Sequence, residues 1–214
     1  RAVSAAKHRA ELRPLDFARF TPPQLAWLSD PSKIRILRGG NQSGKSYAQC
    51  AELIWRCMGE HPYRTVPKAP VECWLICHSW EQSLSLQQKL WDLMPKDQLA
   101  EDTIYTPGRG FRGKVPIVRF KNSSILRIKT TNQGSLGVAS ATVSYVGVDE
   151  PPPRNIWGEL SARVLRAGPY GGIGLSLTPV GRPCGWLHDL VKAGQIADHP
   201  APLTVENVTP EGGR

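Results

Sequence analysis

Gly39-Gly40-Asn41-Gln42-Ser43-Gly44-Lys45-Ser46 follows an apolar run, Ile34 to Leu37, and precedes a helix-compatible segment, Tyr47 to Met58. The eight residues fit G-x-x-x-x-G-K-[ST] in full, in the strand, tight loop and helix setting that this pattern requires. Such a loop wraps backbone N–H groups around phosphate oxygens, and its glycines permit the dihedrals and the close approach. The helix that follows aims its positive end at the same anion. Lys45 is then expected to reach β- and γ-phosphates, and the Ser46 hydroxyl to ligate Mg²⁺. Gly39 to Tyr47 form the expected nucleotide-binding run.

On the N-terminal side of this run, residues 1–20 are basic and have no clean apolar period, which suggests a partly helical arm. Thr21 can cap a helix that starts at Pro22-Pro23. Ala48, Ala51, Leu53, Ile54 and Cys57 give the helix after the loop an apolar side. Val71 to His78 reads as a buried strand. Leu84 to Met94 marks an amphipathic helix that ends before Pro95. Residues 95–115 are loop-like. Val115 to Lys121 and Ser124 to Lys129 predict a hairpin. Val143 to Val148 and Gly172 to Leu177 read as strands, and Ile156 to Arg166 and Trp186 to Ala193 as helices. Leu203 to Val208 is a candidate last strand. Strands alternating with helices predict an α/β fold: a mainly parallel sheet covered by helices, with antiparallel strands at one edge.

Val143 to Glu150 (VSYVGVDE) is an apolar strand ending in two carboxylates. With a phosphate loop upstream, Asp149 is expected to hold the Mg²⁺ shell and Glu150 to polarise an attacking water as general base. The second carboxylate argues against a small-molecule kinase, which activates a bound hydroxyl instead. Thr178, in Ser176-Leu177-Thr178-Pro179, puts a hydroxyl at the next strand tip, where it can sense the γ-phosphate. Gln24 carries the donor and acceptor needed to read an adenine edge.

The formal net charge is +9, with 40% hydrophobic and 21% charged residues. These values suit a globular protein with a polyanionic partner such as nucleic acid. No stretch approaches the ~18 consecutive apolar residues of a membrane span, and no signal peptide is visible. The cysteines, Cys50, Cys57, Cys73, Cys77 and Cys184, lack paired spacing, so reduced thiols in a cytosol-like compartment are expected, with Cys73 and Cys77 buried rather than ligating zinc.

The set Phe20 to Gln24, Arg38 to Ser46, Val143 to Glu150 and Leu177 to Pro179, with Gly181 to Asp189 downstream, resembles the ATPase domain of tailed-phage large terminases, the motors of viral DNA packaging. The resemblance runs from about Phe20 to Ala193. It implies a P-loop NTPase of the additional-strand, catalytic-glutamate (ASCE) type that uses ATP and Mg²⁺ to translocate double-stranded DNA. It also implies a homo-oligomeric ring docked on a portal protein in the host cytoplasm, and a small terminase subunit as partner. It carries Gln24 over as adenine contact, Lys45 and Ser46 as phosphate and Mg²⁺ contacts, Asp149 as metal carboxylate, Glu150 as catalytic base and Thr178 as coupling residue. A helicase-like ATPase, or a nucleotide-gated DNA-binding or assembly module with little turnover, are the alternatives.

Two departures bear on charge stabilisation. Many members carry an arginine inside the phosphate loop, where this chain has Asn41, with Arg38 just outside. Some supply a trans-acting arginine before the second motif, and Gly134 to Ser140 has none. Arg109, Arg112, Arg163 and Arg166 are the remaining candidates for an arginine finger, with Arg163 and Arg166 preferred. Arg109, Arg112, Lys114, Arg119 and Lys121 are the expected DNA grip, made to phosphates and largely indifferent to sequence. Residues 1–20 are expected to be an arm, 21–200 the ATPase domain, and 201–214 the start of a linker to a nuclease domain that this chain does not contain.

Overall fold

A computed structural model describes residues 2–133, 142–179 and 184–202. The Gly134 to Ser140 connection, the start of the Gly181 to Asp189 segment, the candidate strand at Leu203 to Val208 and the Glu211 to Arg214 end lie wholly or largely outside the described residues.

Helix α1 (Ala2–Leu12) leads through a single turn at Pro14–Phe17 to α2 (Pro22–Ser29). Strand β1 (Ile34–Gly39) feeds the phosphate loop and α3 (Lys45–Met58), and β2 (Glu72–Cys77) leads to α4 (Trp80–Leu93). A small hairpin, β3 (Tyr105–Thr106) and β4 (Gly110–Phe111), precedes β5 (Ile117–Arg119) and β6 (Ile125–Thr130). Then come β7 (Tyr145–Asp149), α5 (Arg154–Leu165), β8 (Gly172–Leu177), α6 (Gly185–Lys192) and β9 (Ala197–Ala201).

Seven strands form one sheet in the order β5-β6-β2-β7-β8-β1-β9. All pairs are parallel except β5–β6, the predicted hairpin at one edge. β8 lies between β1 and β7, the additional-strand arrangement. β9 was not foreseen. Ala197 to Ala201 has no apolar alternation and contains Pro200, which a strand tolerates at a sheet edge.

Alternation along each strand divides the core. Cys73, Leu75 and Cys77 of β2 face one layer with Leu53 of α3 and Leu90 of α4. Trp74 and Ile76 face the other, with Ile156 and Leu160 of α5 and Leu187 of α6. Cys73 and Cys77 are buried free thiols, as expected from the sequence, and Cys50 and Cys57 are buried as well. Among the described residues no helix is long and apolar enough to cross a membrane.

A buried ionic cluster ties the phosphate-loop strand to its helix. Arg35 of β1 is fully buried, and its Nη2 donates to Glu52 Oε1 of α3 at 2.7 Å. Arg56 Nε donates to the same oxygen at 2.7 Å, and His61 Nε2 meets Glu52 Oε2 at 2.8 Å. Arg35 Nη1 donates to Trp27 O and Arg56 Nη1 to Tyr170 O. Burial alone would push the Glu52 carboxyl up. Arg35 and Arg56 overrule it, and the His61 hydrogen bond adds to them, so the carboxyl sits well below the usual glutamate value of 4.5.

Removing one partner from such a cluster leaves buried charge uncompensated, so Glu52→Gln is expected to destabilise the fold by about 3–5 kcal/mol, read from the urea midpoint. The native state here binds fewer protons than the unfolded chain. The Glu52 contribution is therefore complete above pH 4.5 and drains away as pH falls below it. Glu52→Gln should flatten the acid limb of the stability curve, and an unchanged limb would contradict this assignment.

Candidate functional site

The register of β1, β8 and β7 brings their C-terminal tips together. Leu37 pairs with Ser176 and Arg38 with Leu177, while Asp149 pairs with Ser176 from the other side. The phosphate loop, Asp149-Glu150 and Thr178 therefore leave the sheet at one edge. A cleft of about 630 Å³ opens there. Its lining includes Asn41 to Tyr47, Asp149, Glu150 and Thr178, joined by Phe17 from the turn after α1 and by Lys89 and Asp92 from α4.

The loop adopts the conformation its glycines allow. Gly44 has φ 73° and stands at the N-terminus of α3. A side chain there would be strained and would also strike the Gln24 amide, 2.2 Å from an ideal Cβ. Lys45 Nζ donates to Gly39 O at 2.9 Å and Gly40 O at 2.7 Å, which places the ammonium inside the loop. Burial lowers the Lys45 pKa, while Glu150 and Asp149 act to raise it. Gly39 and Gly40 serve through these carbonyls.

Ser46 Oγ donates to Asp149 Oδ1 at 3.3 Å, and Ser176 Oγ donates to the same oxygen at 3.0 Å. Burial pushes the Asp149 carboxyl up. The Ser176 hydrogen bond opposes this, neighbouring Glu150 pushes it further up, and Ser46 again pulls down. A hydroxyl and one carboxylate on adjacent element tips are the protein share that Mg²⁺ takes when phosphates and water complete its shell, so Ser46 and Asp149 fit that ion. Among the described residues no cluster of three or more His, Cys, Asp or Glu forms a separate metal cage.

Glu150 has φ 65°, a left-handed conformation that costs a non-glycine residue about 1–3 kcal/mol. Its backbone N donates to Ser176 O at 2.9 Å. Its carboxylate accepts from Thr178 N at 3.0 Å and from Thr178 Oγ1 at 2.6 Å. Thr178 thus grips Glu150 directly, a contact that strand-end reasoning did not anticipate.

Gln24 is placed differently from the expectation of a base-reading amide. It is 1% exposed and does not line the cleft. Its Oε1 accepts from Thr21 N at 2.7 Å and its Nε2 donates to Gly44 O at 3.0 Å. The amide fastens the start of α2 to the last glycine of the loop. Phe17, 52% exposed, lines the cleft instead. It carried no sequence signal because it sits in an arm without periodicity. Ser176 was likewise missed as a partner of Asp149.

The arginine candidates do not line this chain's own cleft. Arg38 Nε donates to both carboxylate oxygens of Asp198, each at 2.8 Å. Arg163 pairs with Glu159 at 3.6 Å on α5, and Arg166 follows that helix. Arg109 and Lys114 border a separate groove with Trp80 and Phe111. Arg112 lies just past β4, and its N donates to Ile104 O. Arg119, on edge strand β5, pairs with Asp102 at 3.1 Å, and Lys121 follows it. Thr103 Oγ1 donates to Arg119 O, so the loop leading to the β3–β4 hairpin lies against this edge of the sheet.

Solved structures share this fold over most of the chain. The large terminase ATPase domain of Thermus phage P74-26 matches with a TM-score of 0.64 at 15% identity, covering 87% of this chain and 82% of that one. The large terminase of bacteriophage HK97 matches at 0.58 and 16% identity, over 86% of this chain and 39% of that one. The large terminase of a thermophilic bacteriophage, in complex with ADP, matches at 0.53 and 12% identity, over 86% and 45%. No family model and no curated protein sequence matches the chain. At these identities the likeness establishes the fold alone, the one shared with these large terminase ATPase domains.

Gln24→Ala removes hydrogen bonds at both ends of one buried amide. It is expected to cost about 1–3 kcal/mol of stability. Acting through the loop, it should weaken binding of ATP and GTP in parallel. A selective loss of ATP over GTP in a fluorescence titration would return Gln24 to the base itself.

Proposed function

We propose that this chain is the ATPase domain of a phage DNA-packaging motor, hydrolysing ATP to drive double-stranded DNA into a procapsid. One observation carries the chemistry: a phosphate loop holding Lys45 and a strand tip holding Asp149 and Glu150 face the same cleft. The likeness to terminase ATPase domains supports the biological setting.

The triphosphate lies along the backbone N–H groups of Gln42 to Ser46, at the positive end of α3. Lys45 turns from the Gly39 and Gly40 carbonyls to the β- and γ-phosphates, exchanging neutral acceptors for charged ones. Ser46 and Asp149 would hold Mg²⁺, which when bound would neutralise charge on the phosphate oxygens. Glu150 accepts a proton from water as the water oxygen bonds to the γ-phosphorus, opposite the departing ADP oxygen. The products are ADP and inorganic phosphate.

Thr178 couples this step to the rest of the domain. Its hydroxyl and N–H hold the Glu150 carboxylate, so a change in charge at Glu150 is felt at the end of β8 and in Pro179. Through that segment, hydrolysis shifts the gripping surface. Arg109, Arg112, Lys114, Arg119 and Lys121 supply phosphate contacts to DNA. A homo-oligomeric ring, a portal protein and a small terminase subunit are the partners this role calls for. Arg163 and Arg166, outside their own cleft, are the candidates for an arginine finger offered to a neighbouring subunit.

Two variants test the chemistry. Glu150→Gln should keep ATP affinity and lower kcat by about 10²–10⁴-fold; undiminished turnover removes Glu150 from its role. Thr178→Val deletes one hydrogen bond to a charged group, worth about 1.5–3 kcal/mol. It should lower kcat by about 10- to 100-fold with KM little changed, and Thr178→Ser should retain most of the rate. Equal kcat in Thr178→Val and the parent would dissolve the proposed link.

A further inference from the structure

We infer that Lys89 is a second phosphate-binding cation, supplied to the cleft by α4 of the same chain. The inference rests on the ATPase reading above and names a residue that reading does not use.

Lys89, Asp92 and Leu93 all line the cleft. Their spacing is that of neighbours on one helix face, so α4 presents one continuous stripe to the site. Of the residues that line the cleft, two are basic, Lys45 and Lys89. Three acids, Asp92, Asp149 and Glu150, line it as well, and a triphosphate adds further negative charge. Lys45 approaches the phosphates from inside the loop, so a second cation has work to do on the open side.

Lys89 is free for that work. It makes no ion pair or hydrogen bond among the described residues. By contrast, Arg38 is paired with Asp198, Arg119 with Asp102 and Arg127 with Glu72. The acid nearest in sequence on its own face, Asp92, accepts instead from Gln88 Nε2 at 2.7 Å. Lys89 also lies close enough to Asp149 to draw its carboxyl downward electrostatically. An ammonium on a flexible four-carbon stem, exposed at the rim of the cleft, can swing onto phosphate oxygens without backbone movement.

The test is equilibrium binding of fluorescent ATP, ADP and AMP analogues with Mg²⁺ to the parent protein, Lys89→Gln and Lys89→Arg. Because Lys89 is exposed, the variants should fold, and their melting curves check this. Lys89→Gln should weaken ATP binding by about tenfold and AMP binding by less than twofold, and Lys89→Arg should restore most of the ATP affinity. ATP affinity of Lys89→Gln within twofold of the parent overturns the proposal, and so does an equal loss for ATP and AMP. Failure of the parent itself to bind ATP overturns the ATPase reading and is visible in that arm alone.

Discussion

β8 is hydrogen-bonded to β1 on one side and to β7 on the other, and the contents of the cleft depend on that placement. Parallel pairing sends all three strands out at the same edge. The phosphate loop, the Asp149-Glu150 pair and Thr178 then meet although they lie far apart in the chain. A register slip of one residue would turn Ser176 away from Asp149, because successive side chains point to opposite faces. Glu150 is fixed by the same pairing: its N–H reaches Ser176 O, and its carboxylate meets Thr178 just beyond the end of β8.

Close packing of α3 on the sheet keeps this geometry rigid. Gly147 of β7 leaves room for Gln49 of α3, whose Nε2 would lie 2.1 Å from an added Cβ. That amide crosses to Gly174 O of β8 at 3.2 Å, joining helix and sheet beneath the site. Deeper, Arg35, Glu52 and Arg56 lock β1 to α3 where burial leaves a lost partner uncompensated. The two ends of α3 thus serve different purposes. Its N-terminus is open to an anion, and its second half is anchored by buried charge.

Much of this was legible in the sequence because the informative residues are local. A glycine-rich loop between an apolar run and a helix, and an apolar strand ending in Asp-Glu, each declare themselves within eight residues. Alternation and helical spacing placed the main elements. What escaped depends on tertiary context. Arg35 sits inside an apolar run, and only the distant Glu52 makes its burial tolerable. Gln24 has the right chemistry for a base, yet the fold spends its amide on Thr21 and Gly44. Phe17 and Lys89 lie on elements whose sequences carry no motif, and they reach the cleft only because the arm and α4 fold against α3. β9 escaped because an edge strand needs neither alternation nor the absence of proline.

The most direct measurement is a crystal structure of the protein with Mg²⁺ and a non-hydrolysable ATP analogue. The triphosphate should lie in the loop with Lys45 Nζ on its β- and γ-oxygens, and the Glu150 carboxylate should stand within hydrogen-bond reach of a water in line with the γ-phosphorus, about 2.6–3.2 Å. A nucleotide bound elsewhere, or a Glu150 carboxylate turned away from the γ-phosphate in that complex, would contradict the proposed chemistry.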